Sequence, residues 1–90
     1  MKSVQIKVIG KVQGVFFRAS TKAVADQLRV KGTVLNLKDG SVLIEASGDN
    51  FEISEFINWC KTGPERSIVE SVEIIEMEFP ERKNFIILKR

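Results

Sequence analysis

The sequence predicts an α+β domain in which two helices cover one face of an antiparallel sheet. Several short runs alternate apolar and polar residues, as strands with one buried face do. Two longer runs carry apolar residues three or four positions apart, which is typical of amphipathic helices. These runs follow one another in the order β-α-β-β-α-β, and a short fifth strand ends the chain.

The composition predicts one small domain over residues 1–90. The chain of 90 residues can bury one modest core. Its net charge of +2 does not indicate a nucleic-acid partner, because acidic residues are interleaved with the lysines. No apolar run approaches the roughly 20 residues that span a bilayer, so we expect no membrane association.

The reactive side chains that the sequence lacks narrow the chemistry. It contains no histidine, which excludes Ser-His triads, Cys-His pairs and histidine metal sites. Cys60 is the only cysteine, so an internal disulfide is excluded and a cytoplasmic location is expected. The sequence therefore offers neither a histidine metal site nor a thiolate zinc cluster, and we expect no cofactor.

The first half of the chain predicts a strand, a helix and a hairpin. Residues Lys2 to Ile9 alternate like a half-buried strand. Residues Phe17 to Val30 have helical spacing, and Gly32 is expected to end this helix. The positions that show this spacing are Val4, Ile6 and Val8 in the strand, and Phe17, Thr21, Val24, Ala25 and Leu28 in the helix.

The hairpin comprises strands Thr33–Lys38 and Ser41–Ser47, and the length of its loop decides which way Asn36 faces. A two-residue loop would leave Asn36 on the face opposite Val42. A three-residue loop, with Gly40 in the left-handed conformation, would pair Asn36 with Val42 on the apolar face. We favour the three-residue loop. An amide on an apolar face is costly unless it has a partner, so Asn36 should have a task there.

The second half predicts a helix and two strands. Asp49 and Glu52 form a capping-box pattern, and Gly63-Pro64 ends the helix. A long strand is expected over Ser67–Phe79 and a short one over Asn84–Lys89. The apolar stripe of the helix comprises Ile53, Phe56, Ile57 and Cys60.

The simplest topology for this order of elements is a ferredoxin-like α/β sandwich. Each strand–helix–strand connection is a right-handed crossover, so the first two strands run in the same direction. The end of the second strand, with Asn36, should therefore lie at the same rim of the sheet as the segment after the first strand.

That segment, Gly10 to Arg18, has the composition of an anion-binding loop. It contains two glycines and leads directly into a helix N-terminus, where backbone N–H groups lack partners. Arg18 in the first turn is electrostatically unfavourable unless an anion lies beside it. We predict a phosphate site; a glycine-rich turn followed by a solvated arginine is the alternative.

The same residues resemble the signature of the acylphosphatase family. The first motif is Gly10-x-Val12-Gln13-Gly14-Val15-x-Phe17-Arg18. A second follows as Gly32-x-Val34-x-Asn36, then Gly40, Val42 and Gly48. The resemblance implies the fold described above and hydrolysis of acyl phosphates, without a metal or a covalent intermediate.

The predicted site contains a guanidinium, a carboxamide and backbone amides, which agrees with the roles that the resemblance implies. Arg18 would bind the phosphoryl oxygens and Asn36 would orient the attacking water. The amides of Gln13, Gly14, Val15, Phe16 and Phe17 would surround the phosphoryl group. The partners expected are a small-molecule acyl phosphate and inorganic phosphate, the latter as product and competitive inhibitor. We expect a monomer and no nucleic acid.

Other interpretations remain open from the residues alone. Asn36 could cap the hairpin, and Gln13 could simply be solvated. The family pattern also occurs within longer maturation factors that use carbamoyl phosphate, against which a length of 90 residues argues. A non-catalytic ferredoxin-like module that binds an anion or RNA is another possibility. An RNA-binding module needs aromatic residues on the open face of its central strands, and the first strand has none.

Overall fold

The computed structural model describes residues 1–89 as a five-stranded sheet with two helices packed on one face. The strand order is β4-β1-β3-β2-β5, and only the β2–β5 pair is parallel. The ferredoxin-like fold predicted from the sequence is therefore confirmed. The elements are β1 (Lys2–Lys11), α1 (Phe17–Leu28), β2 (Lys31–Asn36), β3 (Val42–Gly48), α2 (Asn50–Thr62), β4 (Ile68–Glu76) and β5 (Phe85–Ile87).

The core lies between the sheet and the two helices, on the residues that the alternating and helical patterns indicated. In α1, the hydroxyl of buried Thr21 donates a hydrogen bond to the Phe17 carbonyl at 2.7 Å, so no polar group of its side chain is left unpaired. The rings of Phe56 and Phe85 pack edge to face with centroids 5.8 Å apart. The other buried apolar residues include Val4, Ile6, Val8, Val34, Val42, Ile44, Ala25, Ile53 and Cys60.

The register predicted for the hairpin is confirmed. Asn36 pairs with Val42. The Leu37 N–H donates to the Ser41 carbonyl at 2.9 Å, which leaves three residues, 38–40, in the loop. Gly40 has φ 93°, a conformation that disfavours a side chain. Asn36 therefore faces the helices, as the three-residue loop requires.

The first helix ends at Leu28, two residues earlier than predicted, and Gly32 does not end it. Arg29 adopts the left-handed conformation, with φ 62°. Its N–H donates to the Asp26 carbonyl, and the N–H of Val30 donates to the Ala25 carbonyl. This pair of bonds is a Schellman motif, which arginine adopts here in place of the usual glycine. Gly32 is thus part of β2.

The strands differ at their ends from the prediction because their partners decide where pairing stops. β1 continues to Lys11, since a bulge after Ile9 lets it pair with the start of β4. β4 ends at Glu76 because Val4, close to the start of β1, is its last ladder partner. The hairpin strands β2 and β3 and the last strand β5 likewise differ by one or two residues at each end.

Truncation of the Phe56 side chain should test the packing of α2 against the sheet. Phe56 is fully buried, and we expect Phe56→Ala to lower the free energy of unfolding by about 3–5 kcal/mol. Phe51, on the same helix, is 71% exposed and provides the control. Phe51→Ala should change the value by less than about 0.5 kcal/mol. Urea unfolding of both variants measures this, and equal losses would contradict the packing described.

Candidate active site

Three strands that run in the same direction end at one rim of the sheet. β1 and β2 are both antiparallel to β3, which lies between them, and β5 is parallel to β2. The loop after β1, Asn36 at the end of β2 and Ile87 at the end of β5 therefore meet there. All three contribute to one cavity.

The loop between β1 and α1 leaves its backbone N–H groups without protein partners. Gly14 has φ 73° and an open space where a Cβ would stand. Phe16 precedes the helix with φ 61° and makes no side-chain cap. Within residues 1–89, the N–H groups of residues 13–17 find no acceptor in the protein. Such a row of unpaired donors at a helix N-terminus favours binding of an anion.

Arg18 stands in the first turn of α1 and lines the cavity. Its Nη1 donates to the Leu88 carbonyl at 3.3 Å, just beyond the end of β5. None of the ion pairs formed within residues 1–89 involves Arg18. The guanidinium is thus held at the rim by a neutral oxygen, and no carboxylate among residues 1–89 neutralises its charge.

Asn36 contributes a carboxamide to the same cavity. Its Oδ1 is buried and has no hydrogen-bond partner within residues 1–89. Asn36 therefore does not cap the hairpin, the alternative that the sequence left open. Asp39 has that role, because its Oδ1 accepts hydrogen bonds from the Ser41 N–H, at 2.9 Å, and from the Ser41 hydroxyl.

Gln13 joins the loop to the hairpin. Its Nε2 donates to the carbonyls of Leu37 at 2.8 Å and of Ser41 at 2.9 Å. Gln13 is therefore half-buried and bonded to the hairpin, not simply solvated, and it does not line the cavity. It holds the loop that carries the free N–H groups against the hairpin that carries Asn36.

The cavity has a volume of about 300 Å³, and Arg18 is the only charged residue among the described residues of its wall. Of the predicted phosphate-binding residues, Gly14, Phe16, Phe17 and Arg18 line the cavity, whereas Gln13 and Val15 do not. The sequence did not point to Ala19 or Ile87 as wall residues. The wall comprises Val12, Gly14, Phe16, Phe17, Arg18, Ala19, Asn36 and Ile87.

None of the residues that line the cavity within residues 1–89 carries a hydroxyl, thiol or carboxylate group. Burial raises the pKa of the Cys60 thiol to about 12, so it stays protonated at neutral pH in the core. Residues 1–89 contain no group of three or more His, Cys, Asp or Glu residues that could hold a metal ion. In the same range, no helix has the length and apolar character needed to cross a membrane.

The comparison with protein families decides the identity of the chain. The acylphosphatase family model matches residues 4–87. The chain belongs to the acylphosphatase family. Among curated relatives, the acylphosphatase of Syntrophus aciditrophicus is 45% identical over 76 residues, which are 84% of this chain and 79% of the relative.

Solved acylphosphatase structures agree in fold along almost the whole chain. The enzyme from Coxiella burnetii superposes with a TM-score of 0.93 at 33% identity, covering 97% of this chain and 92% of that one. The enzyme from Bacillus subtilis gives the same TM-score at 34% identity, covering 98% and 99%. This protein is therefore an acylphosphatase that acts on small-molecule acyl phosphates, and nothing in the comparisons supports the RNA-binding alternative.

Removing the Gln13 bridge should lower turnover more than phosphate binding. Gln13→Ala frees the hairpin from the loop, and a displacement of about 1 Å between catalytic groups can cost on the order of 100-fold in rate. We expect acetyl phosphate kcat to fall about 10- to 100-fold, with less than about threefold change in the inhibition constant of phosphate.

Gln13→Glu keeps the shape of the side chain but cannot donate to the two carbonyls, so it should resemble the alanine variant. Gln27→Ala, at an exposed position of α1, is the matched control and should behave like the wild type. A normal kcat in both Gln13 variants would contradict a positioning role.

Acid should lower the stability of the protein by protonating Asp39 in the hairpin loop. Hydrogen bonds from Ser41, with an ion pair to Lys7 at 3.0 Å, hold the pKa of Asp39 well below its usual range. The ionised carboxylate therefore stabilises the fold above about pH 4 and loses this effect as the pH falls toward its native pKa. We expect the wild type to exceed Asp39→Asn in urea midpoint at pH 6. The gap should shrink between about pH 4 and pH 2; a constant gap would exclude this origin.

Proposed function

We propose that this acylphosphatase cleaves the carboxyl-phosphate bond with Arg18, Asn36 and the free N–H groups of residues 13–17 as its catalytic groups. The observation that supports this is a convergence: a helix, a strand and a loop bring Arg18, Asn36 and loop residues 14, 16 and 17 to one cavity of the described structure. Two negative phosphoryl oxygens are the ligand that such a set of donors fits best.

The electrostatics of the first turn of α1 favour a bound phosphoryl group. Both the helix N-terminus and the Arg18 guanidinium are positive, so they repel each other until an anion lies between them. The planar guanidinium can donate two parallel hydrogen bonds to phosphoryl oxygens while the amides bind the remaining oxygen. As charge on these oxygens rearranges in the transition state, the same fixed donors stabilise it.

Asn36 is proposed to hold the attacking water. Its buried Oδ1 is an acceptor in need of a donor, and a water molecule that donates to it keeps a lone pair for phosphorus. Because Asn36 comes from β2 and Arg18 from α1, two separate elements bring the water and the phosphoryl group together in one cavity. This orientation converts a bimolecular attack into a positioned one.

The reaction needs no strong acid or base. The water oxygen forms a bond to phosphorus, and the phosphorus–oxygen bond to the acyl group breaks with its electron pair. The carboxylate that leaves is a weak base and requires no proton, while the proton lost by the water goes to phosphate or solvent. The inorganic phosphate product presents the same oxygens to the same donors, so we expect it to inhibit competitively.

We further infer that the enzyme works as a monomer in the cytoplasm. All the proposed catalytic groups come from one copy of the chain. The single cysteine is buried as a free thiol, which suits a reducing compartment.

Removal of the guanidinium should nearly abolish turnover. We expect Arg18→Ala to lower kcat/KM for acetyl phosphate at least about 1000-fold, because it removes charge and forked donors together. Arg18→Lys should recover little, since an ammonium cannot make the bidentate contact. Arg29→Ala, at the other end of the same helix, is the control. A kcat/KM for Arg18→Ala within tenfold of the wild type would refute the proposed site.

Loss of the carboxamide should separate turnover from binding. We expect Asn36→Ala to reduce kcat about 100-fold or more and to change the inhibition constant of phosphate by less than about threefold. Asn58→Ala, on the exposed face of α2, is the matched control. Equal losses of turnover and of phosphate binding would assign Asn36 to binding and exclude the role in water positioning.

A further inference from the structure

Phe16 is an aromatic residue kept in an unfavourable place beside the site. Its side chain is 77% exposed and forms part of the cavity wall. Its backbone has φ 61° and ψ 25°, the left-handed region that aromatic residues rarely adopt. Neither the core nor the cap of α1 uses the ring, because Phe16 makes no side-chain cap and lies outside the buried cluster. Such an outlier at a functional site points to a role in function.

The wall of the cavity combines polar groups with apolar side chains. The polar part comprises N–H groups of the loop, the Arg18 guanidinium and the Asn36 carboxamide. The apolar part comprises the exposed ring of Phe16, half-buried Ile87, and buried Val12 and Phe17. An acyl phosphate has the same division, with a charged phosphoryl group at one end and an acyl group at the other.

We propose that the Phe16 ring is the platform for the acyl group and makes the enzyme prefer acyl phosphates with aromatic or bulky apolar acyl groups. This inference rests on the proposed function, because the phosphoryl group must occupy the polar part for the acyl group to reach the ring. A flat acyl group stacks on Phe16 and contacts Ile87, whereas an acetyl or carbamoyl group leaves most of the ring in water.

The test compares benzoyl phosphate with acetyl phosphate. The ratio of their kcat/KM values in each variant, divided by the ratio in the wild type, cancels their intrinsic reactivity and any general change in the loop. We expect this ratio to fall roughly tenfold in Phe16→Gly, which removes the ring and suits the left-handed backbone. In Phe16→Leu, which keeps an apolar side chain, the same ratio should fall only about threefold.

Two further measurements keep the test independent of catalysis. Benzylphosphonate and methylphosphonate are inert and share the phosphonate group, so their inhibition constants report the ring contact alone. Phe16→Gly should raise the inhibition constant of benzylphosphonate roughly tenfold more than that of methylphosphonate. Phe51→Ala, which removes a similarly exposed ring on α2 outside the cavity, should leave every ratio unchanged.

Each outcome has one meaning. A lower benzoyl-to-acetyl ratio in Phe16→Gly, with matching phosphonate constants and an unchanged Phe51→Ala, supports the platform. Equal losses for both substrates, or no loss for either, would overturn it while leaving the acylphosphatase reaction intact. Wild-type protein that turns over neither substrate would instead refute the proposed function.

Discussion

The site depends on one constraint of the sheet, the common direction of β1, β2 and β5. β3 lies between β1 and β2 and is antiparallel to both, so β1 and β2 end at the same rim. β5 adds a third strand in the same direction at the edge. A fold of this size can therefore bring a loop, a carboxamide and an apolar wall together with short connections. No long loop has to be ordered to build the cavity.

The site also depends on the register of the β2–β3 hairpin, because side chains alternate between the two faces of a strand. A slip of one residue would turn Asn36 to the open face of the sheet. Gln13 contacts the carbonyls of Leu37 and Ser41, the two residues that close the three-residue loop. The bridge thus couples the position of the free N–H groups to the register that orients Asn36.

The sequence predicted the elements of this arrangement better than their connections. Alternation and helical spacing indicated the order of elements, and Gly40 with the apolar pattern indicated the hairpin register. The end of α1 was missed because Arg29 takes a conformation usually given to glycine. The Gln13 contacts and the Arg18 bond to a main-chain carbonyl were not predictable, since each joins groups distant in sequence and the acceptors carry no residue signature. The proposed role of Asn36 came from the family resemblance, because the residue pattern alone favoured a hairpin cap.

The N-termini of the two helices differ: that of α2 is capped, and that of α1 is not. α2 begins with a complete capping box: Asp49 accepts from the Glu52 N–H at 2.7 Å, and the Glu52 carboxylate accepts from the Asp49 N–H. α1 begins with a strained phenylalanine, no cap and a cation in its first turn. Each of these features costs stability in the ligand-free protein. They occur together at the cavity, where a phosphoryl dianion would satisfy the amides and neutralise the cation at once. The fold therefore leaves the N-terminus of α1 without the capping interactions that it supplies at α2.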